Sequence, residues 1–302
     1  MRILITGATG LVGQQIVKSC HRDNIAVNYL TTSKLKIKND DNYKGFYWNI
    51  KTQEIDSNCF KNVDAIIHLA GATVSKRWTP EYKEKIISSR VKGAQLLVNA
   101  LKGESHSIKQ IVSASGISIY PDSLVNYYDE SFKELNKSFL GDVVKAWEHS
   151  VEAFKTVNIA VSKIRIGLVL AKNGGALPQM LKPIKYGVGA AFGNGKQWQS
   201  WIHIQDLADM FLYVLKNGLI GVYNGVAPNP VTNKELTKTI AKVVKRPLIL
   251  PNIPKFLMKI MMGEMHVLLF DSQRVSSNKI EKQGFYFKYH HLKPALEDIL
   301  LI

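Results

Sequence analysis

The segment Gly7-Ala8-Thr9-Gly10-Leu11-Val12-Gly13 carries the clearest chemistry in this sequence. Three glycines at this spacing follow an apolar β-type run and open a helical one. That context fits a turn presenting main-chain N–H groups to a pyrophosphate. Gly7 permits the tight turn, Gly10 lets the backbone approach the anion, and Gly13 lets the helix pack close to the sheet. The helix N-terminus adds partial positive charge. A dinucleotide held by Gly7, Thr9, Gly10, Leu11, Val12 and Gly13 is therefore expected. An NAD-preferring site would place Asp or Glu at the end of the second strand, on the ribose hydroxyls. Thr31-Thr32-Ser33-Lys34-Leu35-Lys36 stands there instead. Thr32, Ser33 and Lys34 could receive a 2′-phosphate, which points to NADP(H). NAD(H) is the alternative, and a solvated basic turn is the reading without a ligand.

The elements that must position this turn are an alternation of strands and helices. Arg2 to Thr6, Ala26 to Thr31, Ala65 to Ala70, Gln110 to Ala114 and Ala160 to Leu170 read as strands. Leu11 to Cys20, Pro80 to Leu101 and Phe139 to Thr156 have helical spacing. Such alternation predicts right-handed crossovers and a doubly wound parallel sheet, an α/β fold of the Rossmann kind. Beyond residue 171 glycines and prolines become frequent. A helix at Leu207 to Lys216 and a strand at Gly221 to Asn224 return to the main sheet. From Pro228 onward come two or three helices and the proline-bearing segment Pro247 to Pro254. The expected division is a Rossmann domain over 1–170 with 200–225 returning to it. A smaller C-terminal α/β substrate lobe takes 171–199 and 226–302.

The chain has 302 residues, 46% of them hydrophobic and 21% charged, with a formal charge of +16. These values describe an ordinary soluble globular protein. Its 40 lysines and arginines are spread along the chain without a run of five. That distribution favours a solvated lysine-rich surface over a nucleic-acid footprint. No stretch approaches the ~20 apolar residues of a membrane span, and Met1 to Gly7 reads as a strand, not a targeting segment. Two cysteines, Cys20 and Cys59, cannot form a disulfide framework, and they suggest reduced thiols in a cytoplasmic protein. No Cys/His/acid cluster has metal spacing, so no metal is expected.

Several further motifs resemble the extended short-chain dehydrogenase/reductases, the NAD-dependent epimerase/dehydratase family. They are the glycine turn, His68-Leu69-Ala70-Gly71, Ser113-Ala114-Ser115 and Trp201-Ile202-His203-Ile204-Gln205-Asp206. Arg77-Trp78-Thr79, Trp147-Glu148, Gly174-Gly175-Ala176-Leu177 and Ser272-Gln273-Arg274-Val275 resemble its atypical sugar-nucleotide epimerase-like subgroup, which has its own short C-terminal domain. The resemblance spans essentially the whole chain. It implies NADP(H) or NAD(H) in the Rossmann lobe, with Leu69, Ala70, Gly71 and Ser113 beside it. It also implies a small-molecule substrate between the lobes, a carbonyl or hydroxyl compound or a nucleotide-sugar, in a monomer or homodimer.

The resemblance further implies a serine and a Tyr-x-x-x-Lys pair that exchange a proton with the substrate oxygen. Ser115 matches the serine. The pair is missing: the helix that should carry it has phenylalanine or leucine in place of tyrosine and valine in place of lysine. Lys145 comes one or two places late, a rotation of 100° or more. Tyr120 is then a candidate acid, or a structural aromatic beside Pro121. Arg77 and Arg90 are candidates to clamp an anionic substrate. Trp201, His203 and Arg274, with Trp78 and Trp198, are expected along the cleft, and Asp206 is expected to cap a helix. Without the pair, an NADP(H)-binding sensor or interaction protein with little or no catalysis stands beside the oxidoreductase or epimerase reading.

Overall fold

The computed structural model describes residues 1–103 and 105–301. Seven parallel strands build the main sheet: β1 Arg2–Thr6, β2 Ala26–Thr31, β3 Tyr43–Asn49, β4 Ala65–His68, β5 Gln110–Gly116, β6 Ala160–Ile166 and β9 Gly221–Gly225. Between the last two in sequence lie β7 Leu168–Leu170 and β8 Trp201–His203, which pair with each other in a separate two-stranded ribbon. The main order is β9-β6-β5-β4-β1-β2-β3, with two short antiparallel strands added at the β3 edge. The chain runs outward from β1 in both directions, so the strand order reverses beside β1. Ligands of open α/β sheets bind at such a switch point, beyond the carboxyl ends of the strands.

The helices of eight or more residues are α1 Leu11–Arg22, α2 Pro80–Leu101, α3 Phe139–Glu152, α4 Leu177–Lys185, α5 Ile204–Lys216, α6 Asn233–Val243, α7 Lys255–Met262 and α8 Leu292–Leu301. The β-branched runs of β1 and β4 are buried on both faces, as a sheet covered by helices requires. One core joins the sheet to α1, α2, α3 and α5. A second joins β7, α4, α6 and α8 around Trp201. The lobe boundary is less clean than expected, because Ile280, Phe285 and Phe287 pack back into the first core.

Four other expectations change in detail. The strand at Ala65 ends at His68; the Leu69 N–H is shared between the Thr6 carbonyl and hydroxyl oxygens, and the Ala70 N–H turns to the hydroxyl. The run Ala160 to Leu170 is broken at Gly167, whose missing Cβ would lie 2.1 Å from the Ser200 carbonyl oxygen. The α-helix from Phe139 stops at Glu152 and continues to Val157 as a 3₁₀ turn. β3 was not anticipated, since Tyr-Lys-Gly-Phe-Tyr-Trp-Asn is half-buried and shows no clean alternation. Cys20 and Cys59 are free and buried, and burial pushes the Cys20 thiol up to about 12. No helix of the described residues is long and apolar enough to cross a membrane. No group of His, Cys, Asp or Glu among them could hold a metal ion.

Candidate functional site

The glycine turn lies between β1 and α1 at the switch point. Gly7 adopts φ +74°, a left-handed conformation that side chains disfavour. A Cβ on Gly13 would sit 2.2 Å from the Gly7 carbonyl oxygen, so only glycine allows the helix this close. Gly10 donates to Gly7 O at 2.9 Å, and Thr9 and Gly10 are exposed. The helix that follows differs from others in the molecule. α2, α3, α5 and α6 are capped by the side chains of Thr79, Ser138, His203 and Thr232, and each has an acid in its first turn. α1 has neither. Its first N–H groups are left to an outside anion, which suits a diphosphate.

Flanking segments complete a groove. Thr6 was not singled out from the sequence, because it reads only as the last residue of a strand. Its Oγ1 accepts from Leu69 N and Ala70 N, both at 3.1 Å, and so shapes the Leu69–Gly71 turn beside Gly7. With two N–H groups on that oxygen, the hydroxyl proton goes to His68 Nδ1 at 2.9 Å. Burial pushes His68 down to about 4, so the ring is neutral. On the other side, Thr31 Oγ1 accepts from Ser33 N at 3.2 Å. Thr32 and Lys34 are exposed, and the Lys34 ammonium lies 5.1 Å from the Tyr47 ring centre. These residues fit a dinucleotide along β4, β1 and β2.

Leu11 of the turn packs against Gly174 and Gly175, and Gly175 also lines a cleft of about 820 Å³. The cleft opens where β5 and β6 end, bordered by Ile117, Ser118, Ile166 and Gly167. Its far wall comes from α4, α7 and the segment 267–273. Leu140 lines it, and Val144, one helical turn on, faces Gly116. Leu140 and Val144 thus occupy an i, i+4 spacing where a tyrosine–lysine pair would project, and neither can move a proton. Lys145 points away, half exposed and 3.5 Å from Asp142.

Behind this wall sits a buried polar network. Ser115 Oγ donates to Glu148 Oε1 at 2.6 Å, and Arg165 grips both oxygens of Glu148 at 2.8 and 3.0 Å. Arg165 also donates to the Tyr120 hydroxyl at 3.0 Å, which donates to Asn224 Oδ1 at 2.8 Å. Burial alone would raise the Glu148 carboxyl, yet the paired guanidinium outweighs it and holds the group below its ordinary value. Ser115 has one proton and directs it at Glu148, so in this arrangement it can accept from a substrate hydroxyl but not donate to a carbonyl.

Apart from Trp198, the structure brings neither Ser115 nor the remaining predicted substrate-side residues to the cleft wall. Tyr120 is 1% exposed, stacked on Tyr128, and pushed up to about 12 by burial. It is a core aromatic, which corrects its reading as an acid. Trp201 is fully buried with its indole N–H on Asn229 O, filling the second core. His203 caps α5 through Nδ1 and stacks on Tyr289, beside a smaller cavity of about 340 Å³. Burial pushes it down to about 4. Because His203 is the cap, Asp206 is not; its carboxylate instead receives Lys288 N and Tyr289 N. Ser113 is fully buried in β5, its hydroxyl donating to Ala114 O.

The three arginines also lie off the cleft wall. Arg77 is exposed on the loop before α2. Arg90 is buried under the Leu69–Gly71 turn, donating to Ala72 O and Ile86 O with its guanidinium 4.7 Å from the Trp147 ring centre. Arg274 is held between the rings of Tyr127 and Trp198, at 5.0 and 4.4 Å. Of the expected aromatics, Trp198 does line the cleft. Asp271, one residue before the motif quoted from the sequence, lines it too. Burial, helped by the nearby Asp122 charge, pushes Asp271 up to about 6.

Comparison with known proteins places this geometry in a family. The sequence model of the NAD dependent epimerase/dehydratase family matches residues 3–224, and a domain of unknown function, DUF1731, matches residues 253–299. Epimerase family protein SA0724 of Staphylococcus aureus (strain N315) is 37% identical over 298 residues, covering 98% of each chain. The crystal structure of human epimerase family protein SDR39U1 (isoform 2) with NADPH superposes with a TM-score of 0.86, at 26% identity and 99% coverage of both chains. The UDP-N-acetylglucosamine 4-epimerase of Bacillus cereus shares the fold, with a TM-score of 0.77 at 22% identity over 100% of this chain and 98% of that one.

Proposed function

The chain belongs to the NAD dependent epimerase/dehydratase family, and from that premise we propose that it is an NADP(H)-dependent oxidoreductase of a small carbonyl or hydroxyl compound. The observation that carries this reading is the uncapped, acid-free start of α1 above the Gly7–Gly13 turn, at the mouth of a cleft of substrate size. The diphosphate would meet the first N–H groups of α1, with Leu69, Ala70 and Gly71 alongside. Thr32, Ser33 and Lys34 would meet the 2′-phosphate, since no carboxylate stands at the end of β2 to repel it. The human relative solved with NADPH supports that choice over NAD(H).

When bound, the nicotinamide supplies or accepts a hydride. The chain's own part is to hold the substrate oxygen and exclude water. Apolar Leu140 and Ile166 close the cleft near the strand ends and lower the local dielectric. Ser115 lies behind the cleft wall with its hydroxyl on Glu148, so it would meet a substrate hydroxyl only if the wall residues Ile117 and Ser118 gave way. Leu140 and Val144 favour a second reading, an NADP(H)-binding protein with little or no turnover. Transfer of deuterium from 4-deuterated NADPH to a panel of aldehydes and ketones separates the two. Label in any alcohol product supports the oxidoreductase; consistent silence with tight NADPH binding supports the second reading.

A further inference from the structure

The cleft wall is unlike the rest of the surface in charge. The chain carries 40 lysines and arginines, yet among the described residues none of them, and no histidine, lines the cleft. A nucleoside diphosphate brings two or more negative charges into any site it enters. Arginine or lysine is the usual partner for them. Here the arginines that could have served are engaged elsewhere: Arg90 on main-chain carbonyls and Trp147, Arg274 between two aromatic rings.

The wall offers mostly apolar contact instead, with uncharged amides and hydroxyls such as Gln179, Gln199 and Ser118 between. Phe192, Met180, Met258, Met261, Met262 and Ile253 line it, with Trp198 at one side. Methionine is flexible and polarizable, and a wall rich in it adapts to apolar ligands of varied outline. The same character continues outward past the rim. Phe256, Ile260 and Met261 of α7 are 67%, 76% and 68% exposed, and Val188 and Ile249 are exposed nearby in the same lobe.

Among the described residues, one ionisable side chain lines the cleft, the carboxylate of Asp271. Its backbone N–H bonds Val267 O, and among the described residues no hydrogen bond reaches its carboxylate. The charged groups around it are Asp122, Lys255 and His266, and Asp122 is itself engaged by Ser272 N. Half-buried in a largely apolar cleft, this free acceptor is suited to a donor that the ligand brings.

We infer that the cleft takes an apolar, phosphate-free compound whose hydroxyl or ammonium donor pairs with Asp271, and not a nucleotide-sugar. This names the substrate class for the oxidoreductase reading and rests on it for the reaction, though not for the binding. A site of this kind discriminates strongly. A UDP-sugar would lose the hydration of its diphosphate without gaining a cation, and an apolar ligand lacking the donor would leave Asp271 unpaired.

The test is calorimetric titration of the full-length protein, bare and NADPH-saturated, with 4-phenylbutylamine, 4-phenylbutanol, butylbenzene and UDP-glucose. The amine or the alcohol should bind at least tenfold more tightly than butylbenzene, and UDP-glucose at least a hundredfold more weakly than the better of them. Asp271→Leu, which removes the acceptor, should bring the amine and alcohol down to the level of butylbenzene while leaving NADPH affinity within twofold. UDP-glucose binding as tightly as the aryl compounds, an Asp271→Leu protein that binds them unchanged, or a cleft that takes none of them would each overturn the proposal. Failure of NADPH to bind would strike at the oxidoreductase reading instead, because titration of the bare protein still reads the cleft.

Discussion

The groove at the ends of β4, β1 and β2 and the cleft across Leu11 from it recognise matter in opposite ways. The groove is made of main-chain N–H groups, hydroxyls and the Lys34 ammonium, with a helix end that nothing in the protein caps. The cleft is made mostly of methionines, aliphatic and aromatic side chains, with neutral amides and hydroxyls among them and one carboxylate. The difference separates duties: the cofactor side binds charge, and the substrate side binds shape and apolar surface. A basic chain can thus keep its cations away from the reacting end.

The comparison can be broken hardest at the network that lies between the two regions. Glu148→Ala leaves Arg165 charged, buried and unpaired, and should cost about 3–5 kcal/mol in urea unfolding. Replacing both partners, Glu148→Leu with Arg165→Met, should restore most of it. A loss below about 1 kcal/mol in the single variant would show that the network is not holding α3 to β6.

Acid should sharpen the contrast, because the two regions titrate with opposite signs. His68 beneath the groove and His203 beside α5 are both pushed down to about 4 by burial. Between pH 6.5 and 4 the unfolded chain binds protons that the folded one refuses, so stability falls as pH drops through that window. Asp271, pushed up to about 6, binds its proton more readily in the folded chain and offsets part of the loss between pH 6 and 3.8. The net loss from pH 7 to pH 4 should be on the order of 3 kcal/mol from these groups. Asp271→Asn should deepen it. Stability that is flat across the window would contradict the neutral-histidine assignment.

A smaller effect is expected at Lys34. Lys34→Glu puts a carboxylate where a 2′-phosphate is expected, and should weaken NADPH about tenfold while changing NADH less than twofold. Equal losses for both would remove Lys34 from the groove.

The groove was largely legible in the sequence because its requirements are local. A left-handed Gly7, a close-packed Gly13 and a helix start lie within seven consecutive residues, and steric rules act at that range. The absence of the tyrosine–lysine pair was also visible, as phenylalanine or leucine and valine on one helix. The cleft was not legible, for a physical reason. Whether Arg90, Tyr120, Trp201 or Arg274 faces a ligand depends on partners as far as 147 residues away, such as Tyr127 against Arg274 or the Asn224 amide oxygen that accepts from the Tyr120 hydroxyl. Resemblance pointed to polar and aromatic side chains, while burial assigned them to the core. Asp271 escaped notice because a single acid beside a serine carries no pattern of its own.

The most direct measurement is a fluorescence titration of NADPH into the wild-type protein and into Gly10→Asp. A carboxylate at residue 10 would face the diphosphate across the exposed turn, where a Cβ meets only the Gly7 carbonyl oxygen at 3.2 Å. The wild type should saturate at micromolar NADPH or tighter, and the variant should lose at least a hundredfold in affinity, about 2.8 kcal/mol, with its melting temperature little changed. Equal affinity in both proteins would show that the turn between β1 and α1 does not hold the coenzyme.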